Sequence, residues 1–276
     1  MPQIDIEPKT IKPFLRWAGG KSWLTKHLCI VKDLNFNNYH EGFLGGAATF
    51  FYINPKKESF LSDLNPNLIQ TYTAIRDAPL EVIEILKGYS NTEDNYYAIR
   101  AECSDDPIIK AAQFIYLNQT SYNGIYRVNL KGEYNVPYGF RTKPFLDADA
   151  ILLASHNLQN TNLLCSDFEL IKENLKPKDL VFLDPPYTVS HNHNGFIKYN
   201  EKLFSLDDQY RLQKLIDFIK SKGAFYILTN AAHDKVKEIF ASDDFLYEFS
   251  RANLIGGSNA ERGQTEEYIF SNIKLI

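Results

Sequence analysis

The sequence predicts an α/β fold: a mostly parallel sheet with helices on both faces, interrupted by one long insertion. Three observations lead there. Short apolar runs of strand length recur and close on an acid or a glycine, helical patterns separate several of them, and the stretch 66–156 breaks that rhythm.

The runs come in order. Tyr39–Gly45, Ser59–Asp63, Asn162–Asp167 and Leu180–Asp184 are followed by Phe225–Asn230 and Tyr268–Ile273. The clearest helix spans Asp207–Lys222, with Leu212, Leu215, Ile216 and Ile219 on one face. Ser205 can cap its start, and Gly223 stands where a helix stops. The interrupting stretch is helical to Asn118 and then rich in Gly, Asn and Tyr without a clear period. It is read as an insertion between the second and third strands. Ligands of such sheets bind beyond the carboxyl ends of the strands, so acids and glycines there are candidate site residues.

Composition narrows the class. With 276 residues, 44% of them hydrophobic, the chain can bury one large domain carrying a smaller one. No run approaches the roughly 18 apolar residues of a membrane helix, and Met1–Lys12 lacks the apolar core of a signal peptide. Cys29, Cys103 and Cys165 are scattered and odd in number, which implies neither a disulfide framework nor a zinc site. A reduced, cytoplasmic protein without membrane or metal is expected. Net charge is −4, yet between Pro107 and Pro144 Lys110, Arg127, Lys131, Arg141 and Lys143 face one acid, Glu133. Tyr122, Tyr126, Tyr134, Tyr138 and Phe140 interleave with them. That pattern suits either a solvated surface or a nucleic-acid interface.

Three motifs carry chemistry. Asp184-Pro185-Pro186-Tyr187 follows the strand Leu180–Leu183. Chance would give this tetrapeptide in roughly one such chain in a thousand. Pro-Pro alone makes a rigid extended turn, but that does not explain an acid first and an aromatic last. Amine methylation does. The Asp184 carboxylate and the Pro185 carbonyl can accept both hydrogens of an aromatic amine and aim its lone pair, and Tyr187 can stack on the ring. Glu41-Gly42-Phe43-Leu44-Gly45-Gly46 is a glycine-rich turn after a strand, with Asp63 18 residues beyond Gly45. That is near the spacing at which an acid meets ribose hydroxyls. The absence of G-x-G-x-x-G favours an adenosine ligand without phosphates; a plain turn is the alternative. Phe14–Lys21 places Trp17 and two cations around Gly19-Gly20, which suits a nucleoside or any tight loop.

Together these motifs resemble the Dam-type family of adenine-N6 DNA methyltransferases over nearly the whole chain. The resemblance rests on Trp17–Lys21, Phe43–Gly46, Asp63-Leu64-Asn65, Tyr122–Arg127, Glu133–Gly139, Ser166-Asp167-Phe168 and the D-P-P-Y box, in that family's order. It implies a Rossmann-like, S-adenosylmethionine-dependent methyltransferase sheet with an inserted, mainly helical target-recognition domain. Residues 1–65 and 157–276 would form the catalytic domain, and 66–156 the insertion. Trp17, Lys21, Asp63 and Asp184 would line the S-adenosylmethionine pocket, with Ala18, Gly19, Phe43, Gly45, Gly46, Asp167 and Phe168 close by.

The partner implied is double-stranded DNA, engaged by a monomer that extrudes the target adenine from the duplex. Tyr122 and Asn123 would fill or support the gap. Arg127 would read a guanine edge, and Arg16, Ile125, Asn129, Lys131, Pro137 and Arg141 would complete the DNA contacts. The Tyr122–Gly139 run is similar to that of enzymes recognising GATC, which makes that tetranucleotide the expected target. Two positions depart from the family pattern: Gly42 replaces proline, suggesting a looser turn, and Arg16 replaces lysine.

His191-x-His193 lacks a third spaced ligand and reads as loop, and Thr188–Lys198 as a mobile segment closing over DNA or cofactor. Asp207-Asp208 and Asp243-Asp244 are read as helix-start and loop acids. Methylation of cytosine N4 or RNA adenine, a binding-only protein, and a nicotinamide oxidoreductase are the competing readings. The last lacks a phosphate fingerprint.

Overall fold

The computed structural model describes residues 12–129, 131–187, 204–252 and 264–275. The His191-x-His193 pair and the Thr188–Lys198 segment lie outside them. Strands are β1 (Tyr39–Glu41), β2 (Ser59–Asp63), β3 (Thr161–Cys165), β4 (Leu180–Leu183), β5 (Phe225–Ala231), β6 (Phe245–Ala252) and β7 (Gln264–Ser271). Helices are α1 (Cys29–Asp33), α2 (Ala48–Ile53), α3 (Pro66–Asp77), α4 (Pro79–Lys87) and α5 (Glu93–Ala101). They continue with α6 (Pro107–Thr120), α7 (Ala148–Leu158), α8 (Ile171–Asn174), α9 (Leu206–Ser221) and α10 (Asp234–Phe240).

The described strands make one sheet in the order β3-β2-β1-β4-β5-β7-β6. β1 is parallel to β2 and β4, and β4 to β5. β7 runs antiparallel to both β5 and β6. The mixed α/β sheet follows the sequence expectation, with six runs falling on strands. β6 adds a seventh that the apolar runs did not show. Glu248, Ser250 and Arg251 interrupt its apolar residues because, among the described strands, it is an edge strand paired only with β7.

β1 stops at Glu41 and does not continue to Gly45 as the apolar run suggests. Gly45 and Ala47 have φ of 45° and 54°, which no extended strand accommodates. α9 starts on a capping box: the Ser205 hydroxyl accepts from the Asp208 N–H, and the Asp208 carboxylate accepts from the Ser205 N–H. Asp208 therefore completes the cap.

Contacts divide the chain into two compact units. The first comprises residues up to Lys26, Gly45–Asn54 and Asn65–Leu163; the second comprises His27–Leu44, Pro55–Leu64 and Leu164 onward. In the first, α3 packs on α6 and α7, and α6 is buried from Ala111 to Asn118. In the second, one apolar cluster joins Val181 and Leu183 of β4, Tyr226 and Leu228 of β5, and Tyr268 and Phe270 of β7 to Leu212, Leu215, Ile216 and Ile219 of α9. The helical face read from the sequence is the face that is buried.

Candidate active site

In the second unit, the carboxyl ends of the neighbouring parallel strands β2, β1 and β4 carry Asp63, Glu41 and Asp184. Glu41 is buried and accepts a hydrogen bond from the Tyr39 hydroxyl at 2.8 Å. Burial, then the neighbouring Glu41 carboxylate, pushes the Tyr39 phenol far above its usual pKa. A Cβ at Gly42 would lie 3.0 Å from Ile171 Cδ1 and 3.1 Å from Phe168 Cβ. This turn is closed against Phe168, and only glycine allows that approach without a shift. Phe43 stacks on Phe168 at 5.2 Å and meets Phe204 edge-on at 5.6 Å. The Asp63 carbonyl accepts from the Ser166 N–H, tying the end of β2 to the turn after β3.

That turn is held from α9. Arg211 donates to Asp167 at 2.8 Å, to Glu169 at 2.7 Å and to Asp208 at 2.8 Å, and its guanidinium lies 4.8 Å from the centre of the Phe168 ring. The bond to Glu169 chiefly, with those to Asp208 and Asp167, raises the Arg211 pKa further. Lys172 first, and Arg211 next, hold Glu169 below the usual carboxylate value.

The D-P-P-Y box leaves β4 directly. Asp184 accepts a 2.6 Å hydrogen bond from the hydroxyl of Thr229, a fully buried β5 residue. Pro185 is buried and Pro186 exposed. The half-buried Tyr187 donates from its hydroxyl to Glu267 of β7 at 2.7 Å.

The first unit gathers other candidates. Trp17 packs edge-on against the glycine turn: a Cβ on Gly45 would come within 2.8 Å of its ring, and one on Gly46 within 2.9 Å of its Cβ. Tyr126 stacks on Trp17 at 5.6 Å, and the Tyr72 hydroxyl donates to the Gly45 carbonyl. Gly20 N–H donates back to the Trp17 carbonyl, so Ala18 and Gly19 form the tip of a tight turn. Lys21 is buried, its ammonium donating to the Gly19 carbonyl at 2.9 Å. Asn118 clamps the backbone of Arg16 from both sides: it accepts from the Arg16 N–H at 2.8 Å and donates to the Arg16 carbonyl at 2.7 Å. Burial, then the charge of Arg141, lowers the Arg16 pKa.

In the basic, tyrosine-rich segment, Tyr122 and Asn123 are exposed and Asn123 has φ 55°. Tyr122 N–H donates to the Pro137 carbonyl. Tyr134 donates to the Ile125 carbonyl at 2.8 Å, and burial pushes its phenol to about 12. Arg127 is exposed, with Nε and Nη2 donating to Asn135. Arg141 donates to Gln119. The exposed Asn129 side chain is engaged locally, donating to the Glu133 carboxylate and accepting from the N–H groups of Lys131 and Glu133.

Thr229, Glu267, Arg211 and Asn118 escape a sequence reading. Glu267 directly precedes the apolar run Tyr268–Ile273, and nothing within that run marks it. Among the described residues no group of His, Cys, Asp and Glu could hold a metal, and no helix is long and apolar enough to cross a membrane.

Residues 17–254 match the family model of the D12 class N6 adenine-specific DNA methyltransferases. The chain belongs to that family. Its relatives include a type II methyltransferase, M1.LlaDCHI of Lactococcus lactis subsp. cremoris, 31% identical with 95% of each chain covered. The type II methyltransferase M.MjaIII of Methanocaldococcus jannaschii is 34% identical over 80% of this chain and 84% of its own. A DNA adenine methylase of Haemophilus influenzae is 31% identical over 87% of each. This D12-class protein is an adenine-specific DNA methyltransferase, as the resemblance implied.

Proposed function

We propose that this enzyme transfers the methyl group of S-adenosylmethionine to N6 of an adenine extruded from double-stranded DNA, with Asp184 and the Pro185 carbonyl accepting the two amino hydrogens. The Thr229–Asp184 hydrogen bond at 2.6 Å carries the reading. It fixes the carboxylate at the end of β4, so that an arriving amine meets an acceptor already aimed. S-adenosylmethionine supplies an electrophilic methyl group on a sulfonium.

The residues present fit that molecule. Glu41, Asp63 and Asp184 are carboxylates at strand ends, suited to hydroxyl donors and a cationic centre and unsuited to phosphates. Phe43, half-buried and stacked on the buried Phe168, offers aromatic surface for a purine. Lys21, Trp17, Gly45 and Gly46, in the first unit, keep the cofactor-binding role that the resemblance implies. The domain reading follows the same lines, with 66–156 as the recognition insertion. In it, Arg127 would read guanine within GATC, Tyr122 and Asn123 would occupy the gap, and Lys131 and Arg141 would meet the backbone; Arg16, outside the insertion, would add a further DNA contact.

The test is incubation with methyl-labelled S-adenosylmethionine and unmethylated duplex, followed by digestion and sequencing, with Asp184→Ala as the blank. N6-methyladenine confined to one short motif and absent with the variant is expected. Label in another nucleoside, or equal label with Asp184→Ala, would overturn the proposal.

A further inference from the structure

Glu267 is a carboxylate with no solvent exposure. It sits in β7, opposite Ala231 of β5 and Phe249 of β6, so strands flank it on both sides. Burying a carboxylate is costly, and such a residue needs strong partners to be tolerated. One of them is the hydroxyl of Tyr187, at 2.7 Å and 80 residues away in sequence. The bond reaches from the sheet interior to the last residue of the D-P-P-Y box.

The box's prolines explain why that bond matters. Pro185 and Pro186 fix the backbone that carries Tyr187, but nothing in a Pro-Pro run fixes the tyrosine's own χ angles. A phenol donating to an immobile carboxylate fixes χ1, and because the phenolic O–H keeps near the ring plane the same charge-assisted bond also favours one χ2. The ring is then held at one orientation before any base arrives.

We propose that Glu267 is a positioning residue for methyl transfer, holding the Tyr187 ring in the plane that receives the target adenine. The inference rests on the reading of D-P-P-Y as the adenine pocket. Glu267 touches no substrate in this account, and no proton moves. Its effect belongs to the step after cofactor binding.

A double-mutant cycle tests this, with kcat, KM for duplex DNA and S-adenosylmethionine affinity measured for the full chain. Glu267→Leu and Tyr187→Phe should each lower kcat roughly tenfold, the scale of one charge-assisted hydrogen bond, with cofactor affinity unchanged. Glu267→Gln, whose amide oxygen still accepts from the phenol, should cost only about threefold. In the Tyr187→Phe background neither change at Glu267 should cost anything further. Losses that multiply, or a Leu variant that loses cofactor affinity together with kcat, would overturn the proposal. Should the Leu variant not fold, the Gln variant decides: an equal effect in both backgrounds, or none in the parent, overturns it. A parent that labels no adenine at all would instead sink the reading of the box. An active parent with an uncoupled pair sinks only this inference.

Discussion

At the scale of single residues, Thr229 shows how an inconspicuous side chain reaches the D-P-P-Y box. It lies in an apolar strand, yet its hydroxyl supplies the bond to Asp184. Thr229→Val keeps shape and burial while removing the donor. We expect kcat to fall by roughly tenfold with S-adenosylmethionine affinity unchanged, and Thr229→Ser to retain most activity, both read from steady-state kinetics. Arg127 gives a second residue-scale prediction. Arg127→Ala should lower methylation of the preferred site far more than of mismatched sites; uniform loss across sites would make it a phosphate contact. What could be read in advance at this scale was the box itself, because Asp184 and Tyr187 are adjacent in sequence to the prolines that present them. Thr229 and Glu267 reach the same box only through the pairing of β4, β5 and β7. A long-range register leaves no local trace, and neither does the grip of Asn118 on Arg16.

At the scale of elements, the α9 stripe and its capping residue were legible because helical period and cap chemistry are local. Asp208, read only as a helix-start acid, turns out to be half of the capping box and a partner of Arg211. Ser205→Ala should destabilise the protein by about 1 kcal/mol, seen as a lower denaturant midpoint at unchanged slope. The strand β6 was not legible, since its charged and polar residues break the apolar run that marks the other strands. The β1–β4 junction offers a pH prediction. His40 and Asp179 are both buried and 2.9 Å apart. Burial would raise the Asp179 pKa, but the bonds from His40 and from the N–H groups of Asn38 and Lys176 outweigh it and leave it below the usual value. A depressed carboxylate stabilises the fold above its unfolded pKa and loses that contribution as pH falls through its folded value. The gap in melting temperature between parent and Asp179→Asn should be full near neutrality and close below about pH 4. A gap that stayed constant on acidification would contradict this assignment.

At the scale of the whole molecule, charge is distributed against its own sum. A chain of net charge −4 concentrates five cations in the segment from Pro107 to Pro144. DNA affinity should therefore fall steeply with salt, and Lys131→Ala should reduce the slope of log affinity against log salt by about 1. A slope unchanged by that substitution would remove Lys131 from the phosphate contacts. The fold class was open to sequence reading because strand-helix alternation is written in apolar periods. Each compact unit is assembled from separated stretches of chain, the first joining Asn65–Leu163 to Gly45–Asn54 and to residues up to Lys26.

The placement of β7 between β5 and β6 has a consequence for how the molecule comes to exist. Synthesis delivers β5, then β6, then β7, but among the described strands β6 bonds only to β7 and cannot join their sheet until β7 is made. During that interval Phe245 and Leu246, on a strand with open edges, wait without their partner. The pair can then zip together antiparallel and dock on β5 as a unit. The last strand added thus closes the sheet and delivers Glu267 at the same moment, so that the tyrosine of the D-P-P-Y box is anchored only once the fold around it is complete.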